Sequence, residues 1–449
     1  MKTAIIIWDG LRPEFVRCDL TPALCALTDR GTVFENHCAI FPTETRVNSS
    51  TIATGVYPES HGIVANRFLD RISGRVINTG DHDQLAQLHS GDILPVPTLC
   101  GILRDNGYRS LVVGSGSPGS TLLQDPVGQD RFVNVRGVIR PEGDTDAFQA
   151  TYGNFPVESD PPGAWNDLAC RAFADGVSSD TFDLGILWLC DPDFTQHKHG
   201  LGSPESLAVI RNNDVRLAKL VSDLPTDIDL VVASDHGFST VAEHAEPAEA
   251  WIGLEAGSYN LGSSGIYLER PNEHLESTVS RLMAQSWMGP IFLKEETAEG
   301  RGVIAGTFGQ GLLRLNYPDH TPDVVYSRRW SAAANSYGIK GSVFGAGGIA
   351  THGSLSPYDR HAVLVAGGPS FKSGIVSPVP TSAVDIAPTI LEGFGIASAK
   401  MDGRVLAEGL LEGPDPEEVR VGTFRIESDP NPGLEFSTVN GVTYFEGLN

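Results

Sequence analysis

Two threonine hydroxyls lie in one short loop, Phe41-Pro-Thr-Glu-Thr-Arg-Val-Asn48, directly before a run from Ser49 to Thr54 that we expect to be helical. The first turn of a helix presents main-chain N–H groups that have no partner within the helix and that favour negative charge. Such a position suits a nucleophile that attacks phosphorus. Because threonine is a weak nucleophile at neutral pH, Thr43 or Thr45 would need a base or a metal ion beside it.

Acidic residues and histidines that could activate such a hydroxyl cluster in four short segments. Three carboxylates, three imidazoles and one threonine hydroxyl form a mixed oxygen and nitrogen ligand set that is sufficient for two metal sites. This ligand set favours zinc, with manganese or iron as alternatives. The four segments are Trp8-Asp9-Gly10, Asp191-Pro-Asp193-Phe-Thr-Gln-His197, Ser234-Asp235-His236-Gly237 and Thr351-His352-Gly353.

Three of these segments follow apolar runs that have the length of buried strands: Thr3 to Trp8, Phe182 to Cys190 and Leu230 to Ala233. Functional groups gather beyond the carboxyl ends of strands in open α/β sheets. A single aspartate at such a place is more often a helix cap, and a single Asp-His pair is more often part of the surface. The combination of all four segments therefore carries the metal-site hypothesis.

Helix, glycine and strand alternate along the chain, which predicts an α/β fold with a mostly parallel central sheet flanked by helices. Changes of composition predict a core catalytic domain in two parts, residues 1–246 and 336–449. Between them we expect an inserted, cap-like α+β subdomain at residues 247–335. The second part is expected to end in a hairpin that turns at Asn440-Gly441.

Three local features leave alternatives open. Asp214 interrupts the apolar stripe of an expected helix, Pro204–Leu224, either as a buried cap or salt-bridge partner or as the partner of a metal-bound histidine. The glycine-rich span Gly341–Gly353 is either a backbone that approaches a ligand closely or a surface loop. Gly311–Leu315 is expected to be a short strand.

Composition limits the classes of partner. The formal net charge of −24 argues against attraction to nucleic acid or to an anionic membrane. Two divalent cations would balance three aspartates and a threonine alkoxide, so a metal centre could still accept a phosphate ester. The six cysteines have no metal-binding spacing and are expected to be reduced. Without a signal peptide or a long apolar run, the protein is expected to be cytoplasmic.

Taken together, the motifs resemble the nucleotide pyrophosphatase/phosphodiesterase family of the alkaline phosphatase superfamily. The likeness covers most of the chain and implies an alkaline phosphatase-like core. It is carried by the metal-site segments above and by three further motifs, Tyr57-Pro-Glu-Ser-His-Gly-Ile-Val64, Ala387-Pro-Thr-Ile390 and Met401-Asp-Gly403.

The resemblance also implies roles for individual residues. The nucleophile of the family is the second threonine of a Thr-x-Thr loop, which is Thr45 here, and the asparagine that stabilises the oxyanion is Asn66. One zinc ion would be held by Asp9, Thr45, Asp235 and His236, and the other by Asp193, His197 and His352.

One position departs from the family pattern. Family members usually have Phe-Pro-Asn after the nucleophile, and the phenylalanine stacks on a nucleoside base, whereas this chain has Arg46-Val47-Asn48. Arginine cannot form the same apolar slot, but it binds carboxylate or phosphate groups with two parallel hydrogen bonds. We therefore assign Arg46 to substrate binding and expect an additional anionic group on the substrate.

The resulting hypothesis is a di-zinc hydrolase that cleaves phosphodiester or pyrophosphate bonds through a covalent phosphothreonine. The alternatives are a phosphonate hydrolase of the phosphonoacetate hydrolase type, a phosphomonoesterase, and a metal-binding scaffold without turnover. The expected partner is a small phosphorylated or phosphonate substrate. The oligomeric state is left open, with a homodimer as one alternative.

Overall fold

The structure is a computed structural model of the chain. It describes residues 2–448, except for 89–92, 129–130, 141–143, 159–162, 179–180, 245–258, 262–264, 399 and 429–430.

A large mixed sheet organises the described residues, as the sequence predicts. Most neighbouring strands in this sheet are parallel, and the antiparallel pairs lie towards its two edges. From edge to edge, the strand order is Ile375–Ser377, Thr32–Phe34, Leu364–Gly367, Ile228–Ala233, Lys2–Trp8, Leu184–Leu189, Ser110–Gly114, Arg131–Asn134 and Val138–Arg140.

Strand Lys2–Trp8 is buried on both faces of the sheet. Alternate side chains of a strand point to opposite faces, and here each set packs into a hydrophobic cluster. Ile5 and Ile7 pack into one hydrophobic cluster, and Ala4, Ile6 and Trp8 pack into a second one. Helices with apolar stripes cover each cluster, which produces a three-layer α/β core. The α-helices are Pro22–Arg30, Thr45–Thr54, Pro58–His61, His82–Leu85, Leu99–Asp105, Pro118–Leu122, Thr145–Tyr152, Ala164–Ser178, Asp193–His199, Pro204–Asp223, Pro271–Met283, Pro357–Arg360 and Ile386–Gly393.

The three strands that precede predicted ligand residues are direct neighbours in this sheet. Strand Lys2–Trp8 lies between Ile228–Ala233 and Leu184–Leu189 and is parallel to both. Their carboxyl ends therefore meet at one edge of the sheet, which brings the residues that follow them into one place.

Smaller sheets complete the second half of the chain. The five-stranded sheet consists of Tyr259–Leu261, Gly265–Tyr267, Val324–Arg328, Met288–Leu293 and Phe308–Gly309. The four-stranded sheet consists of Trp330–Ala334, Lys340–Ala346, Ser239–His244 and Ala350–Thr351. This second sheet joins segments from both predicted parts of the core, and the proposed division into domains stays a prediction.

The last strands form a three-stranded antiparallel sheet, Val421–Ser428, Asn431–Val439 and Val442–Leu448. The expected turn at Asn440-Gly441 joins the second and third strands, so the hairpin is extended by one strand.

Two-stranded ribbons pair Arg67–Asp70 with Arg75–Asn78 and His37–Cys38 with Thr381–Ser382. Short 3₁₀ helices cover Pro13–Phe15, Gln310–Leu313, Ala383–Asp385, Ala407–Gly409 and Pro416–Glu418.

Three local expectations were wrong. The segment predicted as strand Gly311–Leu315 is mostly 3₁₀ helix, because it turns immediately after the two-residue strand Phe308–Gly309. Much of the glycine-rich span near His352 is not a loop, since Lys340–Ala346 pairs with neighbours on both sides. Two of the cysteines expected to be reduced, Cys18 and Cys25, form a disulfide.

The other four cysteines are free thiols: Cys38, Cys100, Cys170 and Cys190. Among the helices that the structure describes, none combines the length and the apolarity needed to span a bilayer.

Candidate metal centre and nucleophile

Thr45 is the first residue of helix Thr45–Thr54, which begins earlier than the sequence pattern indicated. Its side chain is nearly buried, with 5% of its surface exposed. Oγ1 of Thr45 lies 3.2 Å from Nε2 of His236. Nδ1 of His236 is 2.9 Å from the carbonyl oxygen of Gly237 and donates its proton there, which leaves Nε2 as an acceptor for the threonine hydroxyl. The helix start thus places the hydroxyl against an imidazole.

Two carboxylates meet at the same imidazole nitrogen. Oδ1 of Asp9 is 3.4 Å from Nε2 of His236, and Oδ2 of Asp235 is 3.3 Å from it. Asp9 follows strand Lys2–Trp8, and Asp235 follows the neighbouring strand Ile228–Ala233. The four residues predicted for the first zinc ion are therefore brought together.

A second group surrounds Asp193, which begins helix Asp193–His199. Oδ1 of Asp193 lies 3.4 Å from Nε2 of His197, one helical turn later, and 3.3 Å from Nε2 of His352. The ring centroids of His352 and His236 are 3.8 Å apart, so the two groups adjoin. The residues predicted for the second zinc ion are likewise together.

The separations within both groups fit metal coordination. Zinc binds imidazole nitrogen and carboxylate oxygen at about 2.0–2.2 Å in a tetrahedron, so two of its ligand atoms lie about 3.3–3.5 Å apart. Potential ligand atoms of Asp193, His197 and His352 lie within 4.8 Å of one another, and so do those of Asp9, Asp193 and His236. Asp193 thus belongs to both clusters, whereas the family pattern assigns it to one metal ion.

Main-chain carbonyls orient all three imidazoles. Nδ1 of His197 is 3.0 Å from the carbonyl oxygen of Ala350, and Nδ1 of His352 is 2.7 Å from that of Thr43. His236 makes the equivalent contact to Gly237. In each case the proton resides on Nδ1, because a carbonyl oxygen can only accept. Nε2 then faces the carboxylates, as it does in metal-ligating histidines.

The carboxylates each keep one oxygen for a ligand. Trp188 Nε1 donates to Oδ2 of Asp9 at 3.0 Å, and the main-chain N–H of Gly10 donates to Oδ1 of Asp235 at 3.1 Å. Among the described residues, the opposite oxygens, Oδ1 of Asp9 and Oδ2 of Asp235, accept no hydrogen bond. Oδ1 of Asp193 is also buried without a donor there. Buried anionic oxygens are costly without a partner, so the site fits divalent cations.

The electrostatics agree with this interpretation. Burial, together with repulsion from Asp235 and Asp193, raises the pKa of Asp9 well above its usual value. Burial also raises the pKa of Asp235. Burial lowers the pKa of His236 to about 3, which keeps its imidazole neutral and able to bind a metal ion. The protein has concentrated negative charge where two cations would stabilise it.

Asn66 is held from two sides at the edge of this site. Its main-chain N–H donates to a carboxylate oxygen of Glu44, and its Oδ1 accepts the main-chain N–H of Arg46 at 3.1 Å. Because an N–H can only donate, the atom facing Arg46 is the amide oxygen. The Asn66 NH₂ group is therefore directed away from that contact and available to an oxyanion.

The Arg46 side chain is half-buried, and within the described residues its Nε is buried without a hydrogen-bond partner. One terminal nitrogen of its guanidinium lies 3.2 Å from the position that a Cβ would occupy on Gly80, two residues after the strand Arg75–Asn78. Burial lowers the pKa of Arg46, while Glu44 and the three site aspartates oppose that effect. The cation thus lies within electrostatic range of both metal-binding groups.

Several contributing residues were missed by sequence reasoning. Trp188 sits inside an apolar strand and gave no signal of its bond to Asp9. Thr43 was considered only for its hydroxyl, which donates to the Ser354 carbonyl, whereas its own carbonyl orients His352. Glu44 was not considered. It directly precedes Thr45 in the sequence, and that proximity was the one available signal.

The alternative role considered for Asp214 is not supported. Its two carboxylate oxygens accept the main-chain N–H groups of Ala23 and Leu24, each at 2.9 Å, at the start of helix Pro22–Arg30. Asp214 is therefore a cap contributed by another helix, and it satisfies N–H groups that the helix itself leaves without a partner. The sequence interpretation as a buried cap was correct.

Comparison with known families identifies one family that matches most of the chain. A model of the family described as type I phosphodiesterase/nucleotide pyrophosphatase matches residues 3–325. A protein of Schizosaccharomyces pombe, described as an uncharacterized pyrophosphatase/phosphodiesterase, is 41% identical over 403 residues, which are 83% of this chain and 72% of that protein. Human ectonucleotide pyrophosphatase/phosphodiesterase family member 7 is 24% identical over 426 residues, 90% of this chain and 82% of that protein.

Solved structures share the fold. Human ectonucleotide pyrophosphatase/phosphodiesterase 5 superposes with a TM-score of 0.65 at 18% identity, covering 92% of this chain and 100% of that chain. An inactive threonine-to-alanine variant of the murine protein in complex with AMP gives a TM-score of 0.63 at 18% identity, covering 89% of this chain and 96% of that one. The alkaline phosphatase-like fold expected from the sequence is thereby confirmed.

Proposed function

Because the chain belongs to the type I phosphodiesterase/nucleotide pyrophosphatase family and is therefore a hydrolase, we propose that it cleaves phosphodiester or pyrophosphate bonds through a covalent phosphothreonine on Thr45. One observation carries this proposal. The Thr45 hydroxyl and the carboxylates of Asp9 and Asp235 all converge on Nε2 of His236 within 3.2–3.4 Å. The proposed nucleophile therefore lies beside the side chains that could bind the first metal ion.

Two zinc ions are the cofactors we propose. The first would be held by Asp9, Thr45, Asp235 and His236, and the second by Asp193, His197 and His352. When bound, they supply Lewis acidity that lowers the pKa of a hydroxyl and stabilises negative charge on the attacking and leaving oxygens. Manganese or iron would fit the same oxygen and nitrogen ligands, and metal analysis of the purified protein distinguishes the three.

The protein's own groups would position the reaction. Oγ1 of Thr45 attacks phosphorus in line with the bond to the leaving oxygen, and water later hydrolyses the phosphothreonine. The Asn66 NH₂ group and the main-chain N–H of Thr45, the first residue of helix Thr45–Thr54, would bind an unesterified phosphoryl oxygen. Because these donors are fixed before substrate arrives, they need no reorganisation in the transition state.

A small nucleotide is the substrate class best supported by the related structures. The murine neighbour was captured with AMP in a form inactivated by replacing a threonine. This chain has a threonine, Thr45, beside its own candidate metal ligands, with Oγ1 3.2 Å from Nε2 of His236. A phosphonate hydrolase that cleaves a P–C bond is the second candidate, because Arg46 could bind a carboxylate on such a substrate.

A substrate panel tests the proposal. Bis-p-nitrophenyl phosphate, p-nitrophenyl thymidine monophosphate and phosphonoacetate are each assayed with the metal-loaded protein, with chelator, and after return of Zn²⁺. We expect turnover of the two diesters that is lost with chelator and restored by zinc. Turnover that survives complete metal removal, or no turnover of either diester with zinc, would reject the proposal. Faster turnover of phosphonoacetate would select the second candidate.

A further inference from the structure

Arg46 lies in the first turn of helix Thr45–Thr54, and its side chain is half-buried. It follows the proposed nucleophile directly, and its main-chain N–H binds Oδ1 of Asn66. Its side chain lies against Gly80 and within electrostatic range of Asp9, Asp193 and Asp235. The residue next to the proposed nucleophile thus carries a cation that interacts electrostatically with carboxylates of both metal-binding groups.

The guanidinium also has unused hydrogen-bonding capacity. In the described part of the chain, Nε of Arg46 is buried and makes no hydrogen bond, which is costly unless a ligand supplies an acceptor. The three nearby aspartates would be neutralised by bound divalent cations. The positive charge of Arg46 would then be directed towards the substrate.

Phosphate diesters and monoesters differ in how many unesterified oxygens they offer to the Arg46 guanidinium. During in-line displacement, three substituents lie around the equator of phosphorus. In a diester one of them carries a carbon group and the phosphoryl group has a single negative charge. In a monoester all three are unesterified oxygens, which together carry about −1.5 to −2 charges at pH 7. The Asn66 NH₂ group can donate to one unesterified oxygen, and the Arg46 guanidinium can donate charge-assisted hydrogen bonds to another.

We propose that this site also hydrolyses phosphate monoesters, and that the Arg46 guanidinium binds the additional unesterified oxygen of the dianionic phosphoryl group. This inference rests on the proposed function, since it uses the same nucleophile. It names an activity for this chain and a residue that determines specificity.

The reaction balances as an ordinary hydrolysis. Oγ1 of Thr45 releases its proton to water and forms a bond to phosphorus while the ester P–O bond breaks, and the ester oxygen leaves with the bonding electron pair and takes up a proton from water to give the alcohol. Water then attacks phosphorus, and the Oγ1–P bond breaks to release inorganic phosphate and restore the threonine. The net change is one water consumed, one alcohol released and one phosphate released, with no oxidant or reductant.

The test compares two substrates in matched variants of the zinc-loaded protein. Kinetic constants are measured for p-nitrophenyl phosphate, a monoester, and bis-p-nitrophenyl phosphate, a diester. The variants are Arg46→Gln, which removes the charge, and Arg46→Lys, which keeps the charge but lacks the fork. Arg67→Gln is the control, because it removes the same charge from an exposed arginine next to Asn66. Inhibition by inorganic phosphate is measured in parallel.

We expect Arg46→Gln to lower kcat/KM for the monoester by about 100-fold and to weaken phosphate inhibition by about 10-fold or more, as befits a lost charged donor. The diester should change by less than about 5-fold, and Arg46→Lys should recover part of the monoester loss. Arg67→Gln should change neither substrate appreciably.

Two outcomes would overturn the inference. One is a wild-type protein that cleaves the diester but not the monoester, which leaves the proposed function standing. The other is an equal loss for both substrates in Arg46→Gln with unchanged phosphate inhibition. If neither substrate is cleaved by the wild type, the proposed function itself fails. Retained metal content and thermal unfolding in each variant show that a loss does not come from misfolding.

Discussion

Glu44 accepts the main-chain N–H of Asn66 through its side-chain carboxylate, although Asn66 belongs to a separate segment of the chain. Glu44 is 2% exposed and directly precedes the nucleophile. The loop that carries Thr45 therefore also holds the residue proposed to stabilise the oxyanion. The distance between nucleophile and oxyanion donor is set by this contact and by the Arg46 N–H bond to Asn66 Oδ1.

Replacement of Glu44 should separate positioning from metal binding. In Glu44→Ala the acceptor is lost, so Asn66 keeps the Arg46 bond to its side chain and the Thr79 bonds to its carbonyl oxygen but loses the bond to its N–H, and kcat for a diester should fall by about 10-fold. Glu44→Gln keeps an acceptor oxygen and should lose less. Metal content should stay the same in both variants. Glu35→Gln, at an exposed position on the preceding segment, is the control. Unchanged kcat in Glu44→Ala would remove this role.

Thr45→Ala should abolish turnover with little loss of metal. The remaining side chains of the first group, Asp9, Asp235 and His236, still surround one position in that variant. Metal content is measured by mass spectrometry and turnover with bis-p-nitrophenyl phosphate. Thr45→Ser, which keeps a hydroxyl, should retain partial activity and should form a phosphorylated protein that can be trapped in acid. Full activity in Thr45→Ala would exclude this residue as the nucleophile.

The two metal-binding groups should lose metal independently. His236→Ala removes the nitrogen on which the first group converges, and His352→Ala removes a nitrogen of the second. Each variant should retain about one of two equivalents of zinc, since each remaining group keeps most of its ligands. His199→Ala is the matched control, because this histidine is exposed on the helix that carries His197. Two full equivalents in either ligand variant would contradict the assignment.

Asp214→Ala should reduce stability without affecting the metal centre. It leaves the N–H groups of Ala23 and Leu24 without their acceptors, and loss of such a cap typically costs about 0.5–2 kcal/mol. The free energy of unfolding is measured in denaturant, and zinc content and kcat are measured alongside. Asp214→Asn, which keeps one acceptor oxygen, should be destabilised less. A loss of zinc without a loss of stability would restore the alternative role as a metal-site partner.

Much of the site could be predicted because it depends on local patterns. Apolar runs before Asp9 and Asp235 identify buried strands, and parallel strands bring their carboxyl ends to one edge whatever the intervening sequence. The fold and the convergence of Asp9, Asp193 and Asp235 follow from that rule, but the rule does not place His352, which follows a two-residue strand of another sheet. Asp214 shows the limit of the approach, because its identity as a cap depends on which other helix start lies beside it.

Other features depend on contacts that no local pattern encodes. The orientation of His197 and His352 is set by main-chain carbonyls of Ala350 and Thr43, and every residue has such a carbonyl. Trp188 resembles any apolar strand residue until its indole N–H meets Asp9. The disulfide between Cys18 and Cys25 was missed because spacing alone does not show which thiols approach each other. The division into domains, the cytoplasmic location and the oligomeric state stay predictions.

The bond from Nδ1 of His352 to the carbonyl of Thr43 joins parts of the chain that are 309 residues apart. The N–H of Gly353 strengthens the same junction by donating to the Thr43 hydroxyl at 2.9 Å. The segment with His352 and Gly353 therefore holds the loop that carries the nucleophile through two hydrogen bonds to Thr43. During synthesis the loop would lack these two hydrogen bonds until residues 352 and 353 had emerged from the ribosome, so the enzyme should acquire activity only after that point, however early its central strands assemble.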